Sequence, residues 1–108
     1  MAGLDCGTDS TEAWKVLKHG IYGSISIADS LMEEAVRILA HPLKDDMPIK
    51  SGESGASPLA ALIGLLKSNE LDGFKKKIKL NNRSNILLIN TEGDTDRSNY
   101  ERILSSSQ

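Results

Sequence analysis

The chain has 108 residues and a formal net charge of −2, which suits a single domain without the basic footprint of a nucleic-acid partner. Its one cysteine, Cys6, excludes an internal disulfide, and His19 and His41 lack the spacing of a zinc site. No basic leader precedes an apolar core and no apolar run approaches a membrane span, so a soluble, cytoplasmic protein without a membrane partner is expected.

Residues 1–7 are small and loop-like, and residues 8–11 supply turn and cap types. Ala13, Trp14 and Leu17 then share one face of a helix from Glu12 to Lys18, with Gly20 as its stop. Trp14 is expected as a core anchor. Ser24-Ile25-Ser26-Ile27-Ala28 alternates, which predicts a short strand ending at Asp29. Ser30 and Glu33 have capping-box spacing ahead of Leu31, Ala35, Ile38 and Leu39, predicting a second helix. It stops by His41, because Pro42 disfavours helical geometry in the residue before it. His41 therefore reads as a helix-end residue rather than a catalytic base.

After a connector containing Asp45, Asp46 and Pro48 comes Ser51-Gly52-Glu53-Ser54-Gly55-Ala56-Ser57, a loop of small residues. Pro58 suits a first helical position, and Leu59, Leu62, Ile63 and Leu66 recur at helical spacing to about Lys67. A glycine-rich loop at a helix N-terminus reads in two ways, as a turn that caps the helix or as an anion site fed by free amides and the helix dipole. It is not a Walker loop, since no Gly-Lys-Ser/Thr follows. Residues 68–79 are polar, and Lys75-Lys76-Lys77 reads as a solvated face.

Asn85-Ile86-Leu87-Leu88-Ile89-Asn90 is a continuous apolar run with polar ends, the pattern of a strand buried on both faces of a parallel sheet. It leads into Thr91-Glu92-Gly93-Asp94-Thr95-Asp96, placed where open α/β sheets put their ligands. Its carboxylates lack the closing glutamate of an EF-hand, which leaves a polar turn capping a last helix, Ser98 to Leu104, as the simpler reading. The element order predicts an α/β domain. Two strands cannot bury a core, so the chain is expected to be one partial domain, residues 1–108, of a larger unit.

Three stretches together resemble the C-terminal portion of diaminopropionate ammonia-lyase, within the tryptophan synthase β-like, fold-type II enzymes. They are residues 1–7 (Met-Ala-Gly-Leu-Asp-Cys-Gly), residues 51–56 (Ser-Gly-Glu-Ser-Gly-Ala) and residues 90–96 (Asn-Thr-Glu-Gly-Asp-Thr-Asp). The resemblance spans essentially the whole chain. It implies a partial three-layer parallel-sheet domain and a lyase that uses pyridoxal 5′-phosphate to eliminate ammonia from the small amino-acid substrate 2,3-diaminopropionate, giving pyruvate. It also implies a homodimer in the full-length enzyme.

By the same resemblance, Thr91 meets the pyridine nitrogen of the cofactor, and Gly52, Glu53, Ser54 and Gly55 form a wall beside its ring. Ala2, Gly3 and Leu4 line the active site. The family's attachment lysine, its catalytic aspartate and its main phosphate loop have no match here, and no lysine of this chain stands in the family's lysine motif. No catalytic residue and no metal ligand is therefore assigned, and an inactive C-terminal fragment is expected. Alternatives are another fold-type II enzyme, of threonine dehydratase or cysteine synthase type, and a non-catalytic module that binds an anion or pyridoxal 5′-phosphate.

Overall fold

The structure, a computed structural model, describes residues 4–106. Its regular elements among these residues are five helices: α1 (Thr11–Gly20), α2 (Asp29–Ala40), α3 (Glu53–Lys67), α4 (Asp72–Lys77) and α5 (Arg97–Ser105).

Helix α1 starts where Ser10 accepts the Ala13 amide at 3.2 Å, and Lys18 and His19 sit in its last turn. Both ends follow local rules. None of its residues is buried, however, and Trp14 is 59% exposed. Trp14 is thus no core anchor: its face has no partner element to cover it among the described residues.

Helix α2 buries Met32, Ala35 and Val36, an i, i+3, i+4 set that faces α3 and α5. The expected capping box does not form. Ala28 is the N-cap and offers no side-chain acceptor, while Asp29 places its charge in the first turn. At the other end His41 leaves helical geometry just before Pro42, as the proline requires.

Helix α3 begins at Glu53, five residues before the expected start at Pro58, so most of the small-residue stretch is helix rather than loop. Pro58 is accommodated inside it. A proline there lacks the amide that would bond the carbonyl of Ser54, and the Ser57 hydroxyl donates to that carbonyl instead, at 2.7 Å. Ala56 and Ala60 are fully buried, and their small side chains bring α3 close to α2. Ile103 and Tyr100 of α5 complete the core cluster. Polar ties surround it: Lys67 reaches Glu34 at 2.7 Å, Arg102 reaches Glu33 at 3.0 Å, and Arg37 donates to the Ile103 carbonyl at 3.3 Å.

The parallel sheet expected from the sequence is not found: among the described residues there is no strand. Residues 24–28 are irregular, and residues 85–90 run without regular pairing and are exposed throughout. The physical reason is pairing. A strand hydrogen-bonds only to another strand, and neither stretch meets one among the described residues. Among the described residues no helix is long and apolar enough to cross a membrane.

The basic run is also absorbed locally. Lys75 bonds Asp72 at 2.6 Å and the Ser68 carbonyl at 3.0 Å, and the Lys77 ammonium lies 5.7 Å from the centre of the Tyr22 ring.

Candidate functional site

The centre of the molecule's polar chemistry is the junction between the first turn of α3 and residues 90–96. Gly52, the N-cap of α3, has no side chain with which to satisfy the first amides of the helix. Glu92 does so from 38 residues away, its Oε2 accepting the Ser54 amide at 3.0 Å. Its Oε1 accepts the Thr95 hydroxyl at 2.7 Å, and its backbone carbonyl accepts the Gly52 amide at 3.2 Å. A carboxylate at a helix N-terminus is held there by free amides and by the dipole together. The Thr95 hydroxyl first, with the Ser54 and Gly55 amides behind it, outweighs partial burial and holds the Glu92 carboxyl below the usual glutamate range. Lys50 and Asp94 add a longer-range pair at 3.9 Å across the same junction.

The two glycines expected to let a cofactor approach are closed in by this chain. A Cβ on Gly52 would lie 2.5 Å from the Gly93 carbonyl oxygen and 2.8 Å from the Glu92 carboxylate. One on Gly55 would collide with the Asn90 amide oxygen and sit 2.6 Å from the Glu92 carbonyl oxygen. Neither glycine uses positive φ. Their missing side chains serve close docking of residues 90–93 against α3.

Below this seam lies a hollow of about 140 Å³ lined by Ser51, Gly52, Glu53, Ser54, Glu92, Thr95, Asp96, Asn99 and Tyr100, with Val36 and Ile103 at its apolar end. Ser51 is fully buried and its hydroxyl donates to the Gly52 carbonyl at 2.9 Å. Tyr100 is buried, which pushes its phenol pKa up, with Asp94 adding to the effect. Asp96 caps α5 by accepting the Asn99 amide at 3.0 Å, the capping turn read from the sequence. That bond first, and the Ser98 hydroxyl next, lower its carboxyl pKa.

The structure therefore brings Gly52, Glu53 and Ser54 to one hollow, and places Gly55 against Asn90. Thr91 lies outside the lining of that hollow, exposed, between Asn90 and Glu92. The Asn90 amide oxygen accepts the Glu92 amide at 3.1 Å, so an Asx turn closes over Thr91. Leu4 lines a separate hollow with Asp5, Ile25, Ser26, Ile27 and Asp29. Ala2 and Gly3 lie outside the described residues. Sequence reasoning gave no site role to Glu92, Tyr100 or Asn99. The Asn-x-Glu spacing of the turn and the Asp-x-x-Asn spacing of the cap were the signals available.

A pyridine ring nitrogen accepts a hydrogen bond from a neutral hydroxyl. Thr91 offers one on an exposed turn, with no partner for it among the described residues. On that chemistry Thr91 fits the role implied for it. Gly52 and Gly55 do not present open faces to a ring.

No protein-family model matches the chain. Relatives do. Diaminopropionate ammonia-lyase of Escherichia coli (strain K12) is 36% identical over 104 residues, which span 96% of this chain and 26% of that protein. The solved structure of the Escherichia coli enzyme in complex with D-serine superposes with a TM-score of 0.86 at 35% identity, over 97% of this chain and 27% of that one. The same enzyme in complex with an aminoacrylate–PLP azomethine reaction intermediate also gives a TM-score of 0.86, over 97% of this chain and 28% of that one. The chain thus spans about a quarter of the length of these relatives. The expected kinship with diaminopropionate ammonia-lyases thus appears in both the sequence and the overall backbone comparison.

Proposed function

We propose that this chain, whose relatives in sequence and fold are diaminopropionate ammonia-lyases, supplies one wall of the active site of such an enzyme. The reaction takes 2,3-diaminopropionate and one water to pyruvate and two molecules of ammonia, the first lost by elimination and the second by hydrolysis. The supporting observation is the docked 90–96 stretch, which presents Thr91 on an exposed turn within a backbone that matches a relative's PLP-containing structure at a TM-score of 0.86.

Pyridoxal 5′-phosphate, when bound, supplies the electron sink for breaking a bond at the amino-acid α-carbon. The part of this chain is positional and electrostatic. Thr91 donates its hydroxyl to the ring nitrogen and, being neutral, does not hold that nitrogen protonated as a carboxylate would. Glu53 and Ser54 line the polar hollow beside the turn, and Gly52 and Gly55 serve by letting the turn dock. Ala2, Gly3 and Leu4 are assigned to the active-site lining in this reading.

In this reading the attachment lysine of the cofactor lies in a part of the enzyme that these 108 residues do not match, which leaves the chain inactive alone. The assembled enzyme is a cytoplasmic homodimer. Residues 24–28 and 85–90 become strands of its parallel sheet once their neighbours are present.

Complementation tests this reading. The chain would be co-expressed with the Escherichia coli enzyme cut back to the portion this chain does not match, and the 2-oxo acid product measured: pyruvate from 2,3-diaminopropionate or serine, 2-oxobutyrate from threonine. Restored activity on diaminopropionate, absent from either piece alone, is the expected result. A preference for threonine or serine would point to another fold-type II activity, and pyruvate formation by the chain alone would overturn the claim of inactivity.

A further inference from the structure

We infer that Glu92 is the positioning residue for Thr91: by binding the first amides of α3 it fixes the backbone from which the Thr91 side chain is presented. The inference rests on the proposed cofactor role of Thr91, and deepens it.

Thr91 has no anchor of its own among the described residues, and both of its neighbours are fastened. Asn90 is seated in the space left by Gly55, and its amide oxygen closes the turn on the Glu92 amide at 3.1 Å. Glu92 is held at both ends, its backbone carbonyl by the Gly52 amide at 3.2 Å and its side chain by the Ser54 amide at 3.0 Å and the Thr95 hydroxyl at 2.7 Å. The attachment point is rigid, because α3 is a core helix with Ala56 and Ala60 fully buried. A residue between two fastened neighbours loses backbone freedom, so the direction in which its side chain leaves the turn is set before any ligand arrives.

The side-chain chemistry is specific. Glutamine can turn its carbonyl oxygen to the Ser54 amide and donate its NH₂ to the Thr95 oxygen, so it preserves the geometry without the charge. Aspartate keeps the charge but is one methylene too short to bond both partners from the same backbone position.

The test is nuclear magnetic resonance on the full 108-residue chain, reading the Thr91 methyl and the Ser54 and Gly55 amides. In Glu92→Ala and Glu92→Asp the Thr91 methyl should move to its random-coil shift. Exchange protection at Ser54 should fall about tenfold, the scale of a lost helix cap. The Met32 and Ala60 amides should stay protected. Glu92→Gln should retain the native Thr91 shift. Thr95→Val, which removes one donor and leaves the core untouched, should move Thr91 part of the way and serves if the alanine variant does not fold.

A native Thr91 methyl in Glu92→Ala, or in Thr95→Val where only that variant folds, would overturn the inference and leave Glu92 as a helix cap only. Titration with pyridoxal 5′-phosphate of the wild-type chain assembled with the truncated Escherichia coli portion separates the two claims. A Thr91 shift on titration supports the cofactor role on which the inference rests. Absence of any such shift counts against that role, while the methyl data in the variants still decide whether Glu92 orients Thr91.

Discussion

Asn90 and Gly55 compete for one position: the amide oxygen of Asn90 occupies the place that a Cβ on residue 55 would need. The glycine is therefore a docking device for a segment 35 residues away, and this gives a sharp prediction. Gly55→Ala must push back Asn90, the Glu92 carbonyl or Ser51, and two of these are backbone or buried. A loss of about 1–3 kcal/mol is expected from overpacking. Gly73 is the control, because nothing lies within 4 Å of its Cβ position in α4. Gly73→Ala should stabilise by up to roughly 1 kcal/mol through helix propensity. Urea unfolding of the two variants should move in opposite directions, and equal shifts would refute the docking account.

The core is small, so a single truncation should register strongly. Ile103 is 1% exposed and joins α5 to Met32 and Val36 of α2. Ile103→Ala should cost about 2–5 kcal/mol, much of the stability available to a domain of this size. Because residues 90–96 lead directly into α5, the same variant should also loosen the seam at Glu92. Trp14→Ala, on an exposed face, should change the unfolding midpoint little. A large effect at Trp14 would mean that α1 is packed more firmly than its exposure indicates.

How far the sequence spoke for itself depends on what each element needed. Helices with local signals were legible: Ser10 ahead of α1, Pro42 after α2 and Asp96 ahead of α5 all act as their residue types require. The start of α3 was not legible, because its cap is Glu92 rather than anything near Gly52, and because Ser57 offsets the amide missing at Pro58. The glycine-rich stretch looked like a loop since glycine is a poor helix former. Long-range capping overrode that preference. The expected strands were misread for a different reason. The apolar run of residues 86–89 has the composition of a strand, but composition cannot say whether any partner strand is present to pair with it.

Acid should release the seam before it melts the core. Glu92, Asp96 and Asp72 all have carboxyl pKa values held below their ordinary range, by the Thr95 hydroxyl, the Asn99 amide and Lys75 respectively. A carboxyl whose pKa is lower folded than unfolded contributes stability that is fully present above the unfolded value, about 3.9–4.3, and is lost as pH falls through the folded value. Stability should be flat through neutral pH and decline below about pH 4. Exchange protection at the Ser54 amide should follow Glu92. In Glu92→Gln that acid-dependent loss at Ser54 should vanish while the Asp96 contribution at Asn99 remains. An unchanged acid profile at Ser54 in that variant would assign the effect to other groups.

The run of residues 85–90 should make the chain self-associate. Leu87 is 85% and Ile89 64% exposed, two residues apart in a segment whose backbone lacks regular pairing. Exposed apolar side chains beside unpaired amides and carbonyls form a template for edge-to-edge pairing. Sedimentation should show association growing with concentration. Leu87→Lys together with Ile89→Lys should suppress it, since the charges repel across any two copies brought into register. The double variant should keep the same helical content and unfolding midpoint, because neither side chain belongs to the cluster of Met32, Val36, Ala60 and Ile103. A strictly monomeric wild type across the accessible range would show that this edge is protected in solution by another segment of the chain.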